Sequence, residues 1–402
     1  MKRKLISIGA IVLALALLFT LMPSCGKEKG EVKTLTIGLL YPLSGPAAPW
    51  GVNFELGAKW AIEHINAAGG LKVGKDTYMI ETVSCDTKLT GSVAATCATM
   101  FVDQGIHYVC GPIFLSPAVD PIFTPAKVFY AQGGTWPSSK DRPYQIVASS
   151  HPYYWVNGWW KMVAKHNPDI ETVIVINPPG TDGDNWHDAA VTTMEELGLD
   201  LLDTARYEVG TVDFYPLLTP LVAQNPDVLC FGFAPPGDAA VLTKQARELG
   251  YTGWLSVSAG TGTSQLRDVV GDENMWGILM NDPDLCSPVY PPKSCELLQE
   301  WQERYAEAPG QSMMRTPTMG YDAMMMYATA IEQAGSIDPD EVMKVLDDPN
   351  FRFPTVFSDS TALGGWESYG IRRSFPLNDD YGEIIDPDNI NLSMELTITN
   401  VP

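Results

Sequence analysis

Few residues in this chain are arranged to make or break bonds. The histidines His64, His107, His151, His166 and His187 are scattered without a metal-type pair, and no Gly-x-Ser-x-Gly elbow presents a serine. None of the seven cysteines forms a Cys-x-x-Cys pair, so neither a metal nor a cofactor is expected. Gly69-Gly70-Leu71-Lys72-Val73-Gly74-Lys75-Asp76 approaches the phosphate-loop pattern. It carries Asp76 where Ser or Thr is needed, and it follows a helix, which would aim the backbone cradle wrongly. A helix cap followed by a β-turn accounts for it. Asp182 with Asp184, and Asp386 with Asp388, stand among Gly and Pro and suit helix capping or loop shaping better than calcium. Gly133-Gly134-Thr135 is different: two glycines let a ligand approach the backbone, and the hydroxyl can donate to a carboxylate or amide oxygen. Catalysis has no support from these residues, whereas a binding cleft has some.

Such a cleft needs elements to position it. Ile37 to Gly51 reads as a strand and a tight Gly45-Pro46 turn, and from Phe54 the apolar Ala58, Ala61, Ile62 and Ile65 fall at helical spacing. Asn53 can cap that helix and Gly69-Gly70 can end it. A helix N-terminus facing the carboxyl end of a strand is where open α/β sheets hold small ligands, because free N–H groups and the helix dipole point there. The alternation continues with strands at 34–40, 78–85, 107–110 and 128–131 and helices near 53–67, 91–104 and 116–125. A second series has strands near 172–177, 205–209, 227–233, 254–258 and 276–280 and helices near 186–197, 215–223 and 237–250. Alternation of this kind predicts parallel strands joined by helical crossovers. The length also exceeds what one core usually organises. The expected fold class is therefore α/β, with two doubly wound, Rossmann-like lobes.

The chain starts Met1-Lys2-Arg3-Lys4 and continues through an uncharged, mostly apolar run to Ser24, the layout of a signal peptide. Ser24-Cys25 looks like a bacterial lipoprotein box, with residues 1–24 removed, Cys25 lipidated and 25–33 a linker. The alternative is an uncleaved membrane anchor, since the run is long enough to span a bilayer. Both place the remainder outside the cytoplasm, at the periplasmic or extracellular face of a membrane. Removing residues 1–24 takes away three basic residues and no acid, which moves the net charge from -22 to -25. So acidic a surface argues against nucleic acid and anionic lipid as partners. Among the remaining cysteines, Cys286 and Cys295 bracket the Pro-rich 287–292 loop and form the natural pair, and Cys97 and Cys230 read as buried thiols.

The opening string Ile37-Gly38-Leu39-Leu40-Tyr41-Pro42-Leu43-Ser44-Gly45-Pro46 resembles that of the type I periplasmic substrate-binding proteins, the branched-chain amino acid and amide receptors that feed ABC transporters. The likeness recurs at Tyr108-Val109-Cys110-Gly111-Pro112, at Gly133-Gly134-Thr135, at Lys244-Gln245-Ala246-Arg247-Glu248-Leu249-Gly250 and at Gly320-Tyr321-Asp322-Ala323, followed by Ala334-Gly335-Ser336. The resemblance implies that helices at 296–308, 318–334 and 338–347 return to the first lobe. The lobes would be 34–150 plus 283–360 and 151–282 plus 361–402, joined by a three-strand hinge crossed near 150, 282 and 360. Lobes on a hinge make a ligand trap. It also implies a disulfide between the strand ends Cys85 and Cys110.

The resemblance assigns site residues as well. Trp50 falls where relatives place an aromatic residue over the ligand, with a core-packing role as its alternative. Thr135 and a preceding backbone group would hold a ligand carboxylate. Leu115 aligns with a position that supplies a serine hydroxyl in relatives, and Ser116 comes one later, where it could instead cap a helix. From the second lobe, Phe233 stands for an aromatic, Asp182-Gly183 for a Tyr-Gly pair, and Tyr153 for a helix-start contact or interface packing. Ala259 stands where amino acid binders carry the acid that pairs with an α-ammonium, and burying that ammonium unpaired costs several kcal/mol. The implied protein is a monomeric, non-enzymatic, lipid-anchored receptor that hands a small carboxylate or amide, aromatic or branched, to an ABC permease. Branched-chain amino acid binding, a sensory receptor and a cleft amide hydrolase are the alternatives.

Overall fold

The computed structural model describes residues 30–148, 152–257, 263–280, 292–305, 315–365, 370–375, 381–386 and 389–395. Residues 1–24, read above as a signal peptide, and Cys25, Ala259 and Cys286 lie outside these residues. The first sheet is built from β1 (Val32–Tyr41), α1 (Ala48–Ala67), β2 (Leu71–Val73), β3 (Asp76–Asp86), α2 (Gly91–Asp103), β4 (Tyr108–Cys110), α3 (Ser116–Phe123), β5 (Phe129–Gln132) and β6 (Gln145–Val147). Its order is β2-β3-β1-β4-β5-β6, parallel except for the β2–β3 hairpin. That hairpin absorbs the phosphate-loop-like string. Gly69, Gly70 and Gly74 adopt positive φ there, which glycine reaches without a side-chain clash.

The second sheet comes from α4 (Pro152–His166), β7 (Thr172–Asn177), α5 (Thr181–Leu197), β8 (Asp200–Arg206), α6 (Tyr215–Val222), β9 (Val228–Phe231), α7 (Pro236–Glu248), β10 (Trp254–Val257), α8 (Thr263–Val270) and β11 (Ile278–Met280). After α9 (Pro292–Arg304), α10 (Arg315–Ala334) and α11 (Pro339–Asp347), the strands β12 (Tyr381–Asp386) and β13 (Asn389–Glu395) complete it in the order β13-β12-β11-β10-β9-β7-β8. Two α/β layers each cover a hydrophobic core, as the alternating pattern requires. β8 lies a few residues earlier than expected, because this edge strand is largely exposed and carries little apolar signal. Among the described residues, no helix is long and apolar enough to cross a membrane.

α10 returns to the first lobe and lies along α1. The contact is possible because both helices carry glycine at the crossing. A Cβ on Gly57 would stand 1.9 Å from the Pro317 carbonyl oxygen, and one on Gly320 would stand 2.1 Å from that of Phe54. Tyr327 then reaches β4, donating to the Val109 carbonyl at 3.0 Å. Residues 361–365 and 370–375, expected with the second lobe, pack on the first. Leu363 and Phe375 join its core, and Ser374 bridges Val147.

The expected Cys85–Cys110 disulfide is corrected to Cys85–Cys97, with Cα atoms 6.0 Å apart. β1 lies between β3 and β4, so Cys85 and Cys110 sit two strand spacings apart, beyond disulfide reach. Cys97 is not a free thiol; Cys110 and Cys230 are, both buried. Cys295 is disulfide-bonded.

Candidate ligand-binding cleft

α1 begins at Ala48, with Pro49 in its first turn, not at Asn53. Trp50 consequently lies within the helix, and Asn53 turns inward, its side-chain amide donating to the Pro49 carbonyl at 2.7 Å. A Cβ on Gly51 would stand 1.9 Å from the Pro42 carbonyl oxygen, so glycine lets the helix start press against the end of β1. Trp50 is 4% exposed, and its indole Nε1 is buried without a protein partner.

The ring of Trp50 meets Phe114 edge-on, with centroids 5.2 Å apart. Phe114 in turn meets Phe233 at 4.8 Å, and Trp186 stacks behind Phe233 at 6.1 Å. Trp50 and Phe114 belong to the first lobe and Phe233 to the second, so the aromatic chain crosses the cleft. Edge-to-face pairs of this kind add about 0.5–1.5 kcal/mol beyond the area they bury. Between the lobes lies a cavity of about 310 Å³, walled by Trp50, Leu115 and Phe114 on one side and by Pro178, Asp182 and Phe233 on the other. Its volume suits a small organic solute. The lobes also touch at its rim, where the Gly237 amide donates to the Pro46 carbonyl at 3.3 Å.

The polar side of the cleft is a contact between lobes. The Thr135 amide donates to Asp182 Oδ1 at 2.6 Å, and the Thr135 hydroxyl lies 2.8 Å from the same oxygen and 2.9 Å from the Asp182 carbonyl oxygen. Asn185 adds a bond from its side-chain amide to the Thr135 carbonyl at 3.3 Å. Gly134 makes room for this contact: a Cβ there would stand 2.8 Å from Asp182 Oδ1 and 2.6 Å from Gln132 Oε1. Gly133 does the same for the ring of Phe54, 2.8 Å from its notional Cβ. Burial pushes the Asp182 carboxyl up to about 6, against the Thr135 amide and hydroxyl and the Trp136 amide, which favour the charged form. Its place in the first turn of α5 supports the negative charge further.

A profile of the periplasmic binding protein family matches residues 34–365. The chain belongs to that family. The leucine-, isoleucine-, valine-, threonine- and alanine-binding protein of Pseudomonas aeruginosa is 26% identical over 327 residues, 80% of this chain and 84% of that protein. The Leu/Ile/Val-binding protein homolog 1 of Brucella abortus is 24% identical over 340 residues, again 80% and 84% of the two chains. Among solved structures, a branched-chain amino acid transporter substrate-binding protein from Streptococcus pneumoniae in complex with isoleucine superposes with a TM-score of 0.75 at 18% identity, covering 90% of this chain and 99% of that one. A solute-binding protein from Rhodopseudomonas palustris in complex with benzoate gives 0.74 at 14% identity, covering 91% and 98%. At these identities the structures establish the shared two-lobed fold. The named relatives are solute-binding proteins, not enzymes.

Of the residues expected at the site, Trp50, Leu115, Asp182 and Phe233 line the cavity. Thr135 adjoins it through Asp182, and Gly133 and Gly134 lie behind. Ser116 opens α3 but does not cap it; the capping position is Leu115, and the Ser116 hydroxyl is fully buried without a protein partner. Tyr153 lies in the first turn of α4, and its side chain, like Ala259, lies outside the described residues. Phe114, the ring that joins the lobes, carries no sequence signal of its own. It sits at φ 62°, in the left-handed region, inside the Gly111-to-Ser116 loop that the resemblance had already marked.

Proposed function

We propose that this chain is an extracytoplasmic solute-binding lipoprotein that captures a small organic molecule between its lobes and delivers it to the permease of an ABC importer. The observation that carries this reading is the cavity walled from both lobes, with Phe114 and Phe233 meeting across it. A solute held there touches both lobes at once and favours the closed arrangement by its differential affinity, a shape a permease can read. The walls are mostly apolar, which suits a branched or aromatic body carrying one polar head. Cys25 supplies the anchor in this reading, and the family's periplasmic setting agrees with a location outside the cytoplasm.

The names of the relatives favour branched-chain amino acids as a second reading. Native mass spectrometry of the purified chain, searching for a retained small molecule, tests both. Recovery of leucine, isoleucine or valine supports the second, and turnover of a bound amide would overturn the receptor reading altogether.

A further inference from the structure

We propose that Asp182 sets the ligand class of this cleft. By taking the donors of Thr135, its carboxylate makes the site select a solute with an N–H donor on its polar head over the matching carboxylate. This rests on the receptor reading above and deepens it.

The donors in question are the Thr135 amide and hydroxyl, which both converge on Asp182 Oδ1 at 2.6 and 2.8 Å. A ligand carboxylate approaching them would have to displace a carboxylate that the chain already supplies. Gly134 keeps that place open to Asp182, because any Cβ would stand 2.8 Å from Oδ1. The cavity walls hold Asp182 and, among the described residues, no Lys, Arg or His. A second negative charge would therefore enter a poorly solvated cavity beside a first with no cation to offset either, an arrangement that drives one of the two to give up its charge. A carboxylate can accept at about four lone-pair positions, so bonds from Thr135 leave Asp182 able to accept from a ligand N–H.

A carboxamide offers an N–H to Asp182, and so does an amine of the same body. A carboxylate of the same body offers none.

The test is calorimetric titration of the full mature chain at neutral pH with solutes of matched body: isovaleramide, 3-methylbutylamine, isovalerate and leucine, then benzamide against benzoate. We expect the amides and the amine to bind at least tenfold more tightly than the corresponding carboxylates. Asp182→Asn, near in shape and uncharged, should narrow or reverse that ratio. Carboxylates that bind the wild type as tightly as the amides overturn the inference while leaving the receptor reading intact, and so does an unchanged ratio in Asp182→Asn. The wild-type panel decides the matter even if the variant fails to fold. Absence of binding by every solute at millimolar concentration overturns the receptor reading and this inference with it.

Discussion

The amide and the hydroxyl of Thr135 meet a single oxygen of Asp182, at 2.6 and 2.8 Å, across the cleft between two lobes that are 47 residues apart at this point. A buried carboxylate that receives two donors from one residue depends on that residue. Thr135→Val removes the hydroxyl at nearly constant volume and should lower stability at neutral pH by about 1.5–3 kcal/mol, the cost of a lost hydrogen bond to a charged group. Denaturant unfolding of Thr135→Val, Asp182→Asn and the double variant measures it. A coupling energy near zero would show that the two side chains do not act together.

The pH dependence follows from the same burial. The Asp182 carboxyl is pushed up to about 6 in the folded chain, as is that of Asp238, and burial pushes the carboxyl of Asp322 up to about 8. A raised carboxyl binds its proton more tightly folded than unfolded. Its contribution to stability is therefore fully present below the unfolded value near 3.8 and is lost as pH rises through the folded value. Stability from these groups should fall between pH 4 and 8. Asp182→Asn should remove about 1–3 kcal/mol of the change between pH 4 and 6, at about 1.36 kcal/mol per pH unit. Thermal melts across that range check the prediction, and an unaltered profile in the variant would refute it.

Gly320→Ala should destabilise the first lobe by about 1–3 kcal/mol, since the new Cβ would be forced against the Phe54 carbonyl oxygen at 2.1 Å and the two helices would have to part. Denaturant midpoints measure the loss. An unchanged midpoint would mean that α10 does not lie on α1 as closely as described.

The disulfide has its own test. Cys97→Ser should lower stability by about 2–3 kcal/mol, as expected for opening a loop of this length, whereas Cys110→Ser should leave the disulfide content unchanged. Mass spectrometry of peptides under non-reducing conditions identifies the Cys85 partner directly.

Most elements of both sheets were legible because apolar residues repeat with strand or helix period, and because Gly69-Gly70 closes α1 as a helix stop should; the short β2 and β6 and the late β12 and β13 were not. Local chemistry misled where a tertiary neighbour decided the outcome. Asn53 resembles a cap, yet Pro49 already starts the helix and Asn53 is buried within it. Cys97 sits at an apolar helical position and reads as a thiol, but α2 packs so that it faces the end of β3. Thr135 was visible beside its glycines and Asp182 through the resemblance, but their contact was not, since nothing near either residue in sequence specifies how two lobes dock. Phe114 was missed for the same reason.

The glycine seam between α1 and α10 also fixes an order of events. Five of the seven strands of the second sheet are encoded in one stretch, 172–280, whereas the first lobe lacks the helix that covers α1 until residues 315–334 exist. A chain that emerges N-terminus first can thus close most of its second core while the face of α1 that bears Trp60 and Gly57 stays uncovered. The half that is written first must therefore wait for its covering helix, and any factor that shields nascent apolar surface would find a long-lived target there.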